Sequence, residues 1–397
     1  MTHPGDPLLR FRDEFPILSE CTYLVSHSLG AMPRRAAVDL DRFAREWSRR
    51  GVRAWEEAWW DLPSRVGDAL APLIGAARGS VVMQPNVTLA SAVFLSAIDF
   101  TPPRDRLVCT ALDFPSLLYS YRGLAARGAR VDIVPSADGL SIDEDRILDA
   151  IDETTRVVCV AHGLFRTGYV LDADAIAAKA RDAGAVFLLD LYQTAGTVPV
   201  DLTRIGCDAA VGGNLKWLCG GPGNAFLYVR PDRIGALAPR LTGWQAHADP
   251  FAFDPGEIRR AEGIERFLHG TPGIPAIRAA EAGIAVVAEA GVDAIRAKSV
   301  RLTERLIAAA DARGWTVRTP RDAWRRGGLV TVDPAGPADA AKIERALAER
   351  GILVDFRPGA GLRIAPHFYN TADEVDRCLD AIDEILENRS FRAEGSR

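Results

Sequence analysis

At 397 residues, with 48% apolar and 25% charged side chains, the chain has the composition of an ordinary globular protein and is long enough for two cores. A net charge of −5 with no Lys/Arg-rich block argues against nucleic acid as a partner. No run of about 18 apolar residues could cross a membrane, and "MTHPGDPLLRFRDEFP" lacks the apolar core of a secretory leader. The six cysteines are scattered without CxxC spacing; buried reduced thiols, a cytoplasmic location and no metal site are expected.

In chain order, "MQPNVTLASAVFLSAI" places Asn86 and Thr88 just before an apolar helical run. "DRLVCTA" reads as a strand, "PSLLYSYRGLAARG" as a helix ending on Gly128, "RVDIVPS" as a strand and "DEDRILDAID" as a helix. "RVVCVAHG", "ADAIAAKARDAG" and "AVFLLD" continue as strand, helix, strand, and "DAAVGG" and "NAFLYVRP" are short strands around "GGNLKWLCGGPG". Val/Leu/Ile-rich runs alternating with helical periods indicate a mostly parallel sheet covered on both faces, whose ligands gather at the strands' carboxyl ends. After about residue 275 one long helical stretch leads into a smaller α+β unit. The expected division is an N-terminal segment (1–50) packing on the small domain or a partner, a large domain (51–274) and a small C-terminal domain (275–397), with "SFRAEGSR" frayed at the end.

Only four of the 48 basic side chains are lysine. Lys179, Lys298 and Lys342 fall in helical runs, where a solvated face explains them. Lys216 stands between two glycine pairs, and lysine, unlike arginine, can deprotonate to become a nucleophile. Asp190 ends the strand "VFLLD" 26 residues earlier. A carboxylate and a lysine at neighbouring strand ends suit pyridoxal 5′-phosphate: the lysine holds the aldehyde, and the carboxylate pairs with the pyridine nitrogen. The helix start at Asn86–Thr88 offers free N–H groups to a phosphate.

Eight motifs then appear in a familiar order: "YLVSHSLGAMP", "GVRAWEEAWWDLPSRVGDALAPLIGA", "DFPS", "DLYQTAGTVPVDL", "LKWLCGGPG", "LTGWQAH", "RFLHGTP" and "LRIAPHFYN". Over nearly its whole length the chain resembles the class V aminotransferase group of fold-type I pyridoxal-phosphate enzymes, and within it the kynureninase family. The resemblance implies an α/β fold with a large domain around a seven-stranded-type sheet and a smaller α+β domain. It makes Lys216 the Schiff-base lysine, Asp190 the pyridinium partner and Phe114 a ring-stacking residue. Val87 and Thr88 would hold the phosphate with Trp244 close by, and Thr271 would reach the phosphate of a neighbouring subunit, implying a homodimer. Arg363 would clamp the substrate α-carboxylate. Ser28, His27 and His162 are the remaining candidates at the substrate.

This chain departs from the kynureninase pattern at several positions. His27 stands where the family has Asn, Gln193 where it has His, Leu215 where it has Tyr, and Leu117 where it has Asp. Ala161 replaces Ser or Thr, and Leu164 replaces Asn or His. Gln193 instead resembles the glutamine that donates to the cofactor's phenolic oxygen in cysteine desulfurases. No cysteine lies between Cys219 and Cys378 to supply the desulfurase nucleophile. The expected activity is cleavage at the β-carbon of an α-amino acid, hydrolytic as in kynureninase or eliminative as in a cysteine-conjugate C–S lyase. Epimerisation, transamination and a non-catalytic pyridoxal-phosphate protein are the alternatives.

Overall fold

The computed structural model describes residues 5–388; the tail expected to fray lies outside the described residues. An N-terminal segment of 3-10 turns carries β1 (Thr22–Tyr23), followed by α1 (Arg34–Arg50) and α2 (Leu62–Leu70). The alternating region comprises β2 (Val81–Gln84), α3 (Val87–Ser96), β3 (Arg106–Thr110), α4 (Pro115–Gly123), β4 (Arg130–Val134) and α5 (Glu144–Ala150). It continues with β5 (Thr155–Ala161), α6 (Ala173–Asp182), β6 (Val186–Asp190), the single-turn α7 (Leu202–Ile205), β7 (Ala209–Gly213), β8 (Ala225–Val229) and the single-turn α8 (Pro231–Ile234).

These eight strands less β1 form one seven-stranded sheet in the order β2-β8-β7-β6-β5-β3-β4. Every pairing is parallel except those of β8, which runs antiparallel to β7 and β2. Successive residues of β6 alternate between two cores: Phe187 and Leu189 join one, Val186 and Leu188 the other. Burial on both faces explains why the strand reads as an unbroken apolar run.

The C-terminal part contains α9 (Ile274–Ala290), α10 (Val292–Ala312), β9 (Thr316–Val317), β10 (Val330–Asp333), α11 (Pro337–Glu349), β11 (Ile352–Leu353), β12 (Asp355–Arg357), β13 (Gly361–Ile364) and α12 (Ala372–Asn388). A four-stranded antiparallel sheet, β12-β13-β10-β9, shares a core with α10, α11 and α12. β1 pairs in parallel with β11, so the N-terminal segment is stitched to this smaller unit.

Three expectations need correction. The long helical stretch after 275 is two helices, because Gly291 adopts φ 79 between them. The first, α9, sends Ile277, Ile284 and Val287 into the core of the large sheet, so the boundary between the two units falls inside the stretch rather than before it. Lys298 is not on a solvated face: it is 2% exposed, paired with Asp6 at 2.8 Å and donating to the Phe368 carbonyl at 2.6 Å. Here tertiary packing of the N-terminal turn overrides what the helical period alone suggests.

Candidate active site

The glycines around Lys216 are there because other groups come close. A Cβ on Gly213 would lie 2.2 Å from Tyr192 Cζ, and one on Gly212 would lie 2.6 Å from the Phe226 ring. From the opposite side, Gly30 donates its N–H to the Leu215 carbonyl at 2.7 Å, and a Cβ there would sit 2.0 Å from the Lys216 carbonyl oxygen. The strand end is thus clamped between the N-terminal segment and the turn after β6, which leaves the lysine side chain facing one cavity.

That cavity, of about 370 Å³, is lined by Lys216, Asp190, Thr88, Phe114, Arg357 and Arg363 among others. β6 and β7 are parallel neighbours with Asp190 opposite Val211, which brings the carboxylate and the lysine to the same sheet edge. Lys216 Nζ lies 4.4 Å from the Tyr192 ring centre and 5.8 Å from that of Phe114. Burial pulls its pKa down to about 8, against the opposing pull of Asp190. Asp190 is 5% exposed, and burial lifts its pKa to about 6 despite the Tyr192 N–H bond to Oδ1 at 2.8 Å and the charge of Lys216. Its other oxygen has no hydrogen-bond partner among the described residues.

At the anion end, Asn86 caps α3 by accepting the Leu89 N–H at 2.9 Å. The N–H groups of Val87 and Thr88 are in the first turn and have no helical acceptor, and Thr88 adds a hydroxyl on the cavity wall. Gln193 lines the cavity but is partly engaged: Nε2 donates to the His27 carbonyl at 3.2 Å, and Oε1 accepts the Trp217 indole N–H at 3.1 Å. One N–H of that amide remains for a ligand. Ser28 and Leu215 also line the wall.

His27 lines the cavity and is 1% exposed; both ring nitrogens are buried without hydrogen bonds among the described residues, Nε2 lying 3.7 Å from Asp355 Oδ2. Burial, reinforced by Arg363, Lys216 and Arg357, holds its pKa well below the usual value, so the ring is neutral.

Other candidates lie elsewhere. His162 follows Ala161, which lines the cavity; the next side chain along an extended run points away, and His162 instead bonds Thr194 Oγ1 at 3.0 Å beside a different cavity. Trp244 and Thr271 do not reach this cavity. Thr271 is exposed, and Trp244, 39% exposed, stacks with Phe253 and meets Trp60 edge-on. Trp55 and Trp59 pack on each other within the chain, Trp59 donating to Glu46 at 2.6 Å. His247 accepts the Asp249 N–H, and His269 bonds Gln84, both away from the cavity.

Arg363 is in the wall but sealed: it is 2% exposed, Nη2 bonds Asp355 Oδ2 at 2.5 Å, and Nη1 donates to the Phe165 carbonyl. The sequence reading missed Tyr192, Asp355 and Arg357. The signal for the last two was the spacing of "DFR" and "LRIAP" around a tight hairpin, which sets Asp355 opposite Arg363.

The aminotransferase class-V family model matches residues 50–378. The chain belongs to this family. Among class-V relatives, kynureninase of Burkholderia pseudomallei is 35% identical over 98% of this chain and 94% of its own length. Kynureninase of Pseudomonas fluorescens is 34% identical over 97% and 94%. The chain is a kynureninase-like class-V member and a pyridoxal-phosphate-dependent enzyme. Its fold matches an apo cysteine desulfurase of Thermococcus onnurineus at TM-score 0.83 and 22% identity, covering 98% of this chain and all of that one. It also matches a C-DES variant with glycine linked to its pyridoxal-phosphate cofactor, at TM-score 0.85 and 22% identity over 94% and 98%.

The side chains of this class-V site fit that cofactor. Lys216 is a desolvated amine that can hold the aldehyde, and the open oxygen of Asp190 can accept a pyridinium N–H. The first turn of α3 with Thr88 can take the phosphate, and the Phe114 and Tyr192 rings flank the lysine.

Proposed function

We propose that this enzyme cleaves a bond at the β-carbon of an α-amino acid carrying an aromatic side chain, as a kynurenine-type hydrolase. The observation that carries this is one cavity whose wall is shared by Lys216, Asp190, two arginines and the apolar side chains Phe114, Phe165 and Leu215. Pyridoxal phosphate, when bound, withdraws electrons from the substrate α-carbon. Lys216 Nζ, lowered to about 8, serves as the base at the α-C–H. Asp190 holds a proton at the pyridine nitrogen from a buried, water-poor position. Phe114, edge-on to Phe165 with ring centres 5.3 Å apart, gives the substrate's aromatic group an apolar surface. Arg357 and Arg363 orient its carboxylate.

A second reading rests on a specific observation. With Leu215 in the tyrosine position and both His27 ring nitrogens buried without hydrogen-bond partners among the described residues, Lys216 is the base we assign to the α-C–H. Elimination of a sulfur leaving group needs only that base, so a cysteine S-conjugate is the alternative substrate.

Assembly as a homodimer is supported by the surface cluster Trp244, Phe251 and Phe253, which are 39%, 60% and 71% exposed and lie near Thr271 in the chain. A reducing, cytoplasmic location is supported by six free cysteines, five of them buried.

The test is to incubate purified protein with L-kynurenine, 3-hydroxykynurenine, cysteine and cysteine S-conjugates, following anthranilate fluorescence, pyruvate and sulfide. Anthranilate-type product with the kynurenines supports the hydrolase. Pyruvate with the S-conjugates alone replaces it by the lyase, and no turnover of any of them ends both readings.

A further inference from the structure

A second cavity, of about 510 Å³, lies where the large and small units meet. The large unit gives it Leu171, Val198 and Ile205; the small unit gives it Arg296 of α10 and Trp324, on the turn before β10. It shares no lining residue with the cavity around Lys216. One strand end divides the two: Ala161 lines the first and His162, the next residue, lines the second.

The charges in this wall are matched, with one exception. Arg204 pairs with Asp174 at 2.5 Å, and Arg325 pairs with Glu144 at 2.8 Å. Asp172 sits at the N-terminus of α6, where it accepts the Ala175 N–H at 3.0 Å. Arg296 has no carboxylate within ion-pair distance among the described residues. Its Nη2 donates to the Ala323 carbonyl, while Nη1 is buried without a hydrogen-bond partner. Burial and the like charge of Arg326 pull its pKa down to about 10, so it remains a cation at neutral pH. A half-buried guanidinium with an unmet N–H is stabilised by an anion brought beside it.

The rest of the wall decides what carries that anion. Leu171, Val198 and Ile205 are apolar. Trp324 is 87% exposed, yet its turn is held in place: Asp322 Oδ1 accepts the Trp324 N–H at 2.8 Å, and the Ala323 carbonyl accepts from Arg296. The unmatched guanidinium therefore also fixes the segment that bears the indole. An indole on a pinned turn offers a flat ligand a surface at small ordering cost.

We propose that this cavity is a second ligand site, separate from the active site, for a small carboxylate with an aromatic body. Arg296 receives the carboxylate and Trp324 covers the ring. The site does not depend on which amino acid the enzyme cleaves.

The experiment is calorimetric titration of the pyridoxal-phosphate-loaded protein with benzoate, benzamide and inorganic phosphate, alongside cofactor content and melting temperature. Benzoate is expected to bind at least about tenfold more tightly than benzamide, which lacks the charge, or phosphate, which lacks the ring. Arg296→Gln should weaken benzoate about ten- to a hundredfold and keep full cofactor content. Trp324→Ala should weaken it about three- to tenfold. Arg363→Lys, in the other cavity, should leave the benzoate Kd unchanged. Should Arg296→Gln not fold, Trp324→Ala decides, because removing so exposed a ring spares the core. A wild-type protein that does not bind benzoate overturns the proposal, as does wild-type benzoate affinity in folded Arg296→Gln or in Trp324→Ala. Benzamide or phosphate binding as tightly as benzoate overturns the ligand class, and with it the proposal. A loss in Arg363→Lys as large as in Arg296→Gln places benzoate in the active site and also overturns it.

Discussion

Lys216 Nζ sits 4.4 Å from the centre of the Tyr192 ring, and that ring occupies the space a side chain on Gly213 would need. The pair explains the glycines before the lysine: the aromatic ring of one strand end is accommodated by the bare backbone of the next. Gly213 is not a positive-φ residue, so a substitution there tests space and not backbone strain. Gly213→Ala should destabilise the protein by about 1–3 kcal/mol and reduce cofactor loading. Adding Tyr192→Ala should recover most of the loss. Equal melting temperatures for the single and double variants would show that the two positions do not compete for space.

Apoprotein should load pyridoxal phosphate faster as pH rises through about 8, because the neutral amine is the reactive form and Lys216 titrates there. An ordinary lysine would shift that rise to about 10.4. Asp190 raises the Lys216 pKa, so Asp190→Asn should move the midpoint lower still. Stopped-flow absorbance across pH 6–11 (a range chosen to span about 8 and about 10.4) measures it. Borohydride reduction followed by peptide mapping should place the label on Lys216; a label on Lys179 or Lys342 would end the assignment.

Arg363→Lys should weaken kcat/KM for the amino-acid substrate roughly ten- to a hundredfold and leave cofactor content unchanged. The ammonium cannot reach both Asp355 and the Phe165 carbonyl as the guanidinium does, and a charge-assisted hydrogen bond contributes about 1.5–3 kcal/mol. Wild-type kinetics in this variant would mean that the Asp355 pairing has no part in substrate binding.

Phe251→Asp/Phe253→Asp should shift the protein from dimer to monomer in analytical ultracentrifugation and lower its affinity for pyridoxal phosphate. Both rings are exposed in the isolated chain and continue the Trp60–Trp244 contact. A wild-type protein that sediments as a monomer with full cofactor content would refute the shared site.

Asp6→Ala should loosen the N-terminal segment, because it removes the partner of the buried Lys298 and the cap on Leu8 N–H at 3.1 Å. A loss of about 1.5–3 kcal/mol is expected, seen as a lower melting temperature and as proteolysis before residue 20. An unchanged melting temperature would show that the Phe368 carbonyl alone satisfies Lys298.

The sequence by itself determined the parts whose signals are local. Unbroken apolar strands such as β6, helix starts such as Asn86 and the punctuating glycines depend on neighbours a few residues away, so the sheet, Lys216, Asp190 and the first turn of α3 were legible in order. Of the motif series, "YLVSHSLGAMP", "DFPS", "DLYQTAGTVPVDL", "LKWLCGGPG" and "LRIAPHFYN" contribute residues to the Lys216 cavity, whereas "LTGWQAH" and "RFLHGTP" do not. Only the tertiary structure decided which side chains face it. A single step of strand alternation turns His162 away while Ala161 lines the wall, and nothing in the residue type reveals that. The register of the β12–β13 hairpin sets Asp355 against Arg363, and register is fixed by the turn and by which face enters the core. Lys298 looked solvated for the same reason: its partner, Asp6, is nearly three hundred residues away (about 290 by chain numbering), and contact at that separation comes from packing of whole elements, which no local pattern encodes.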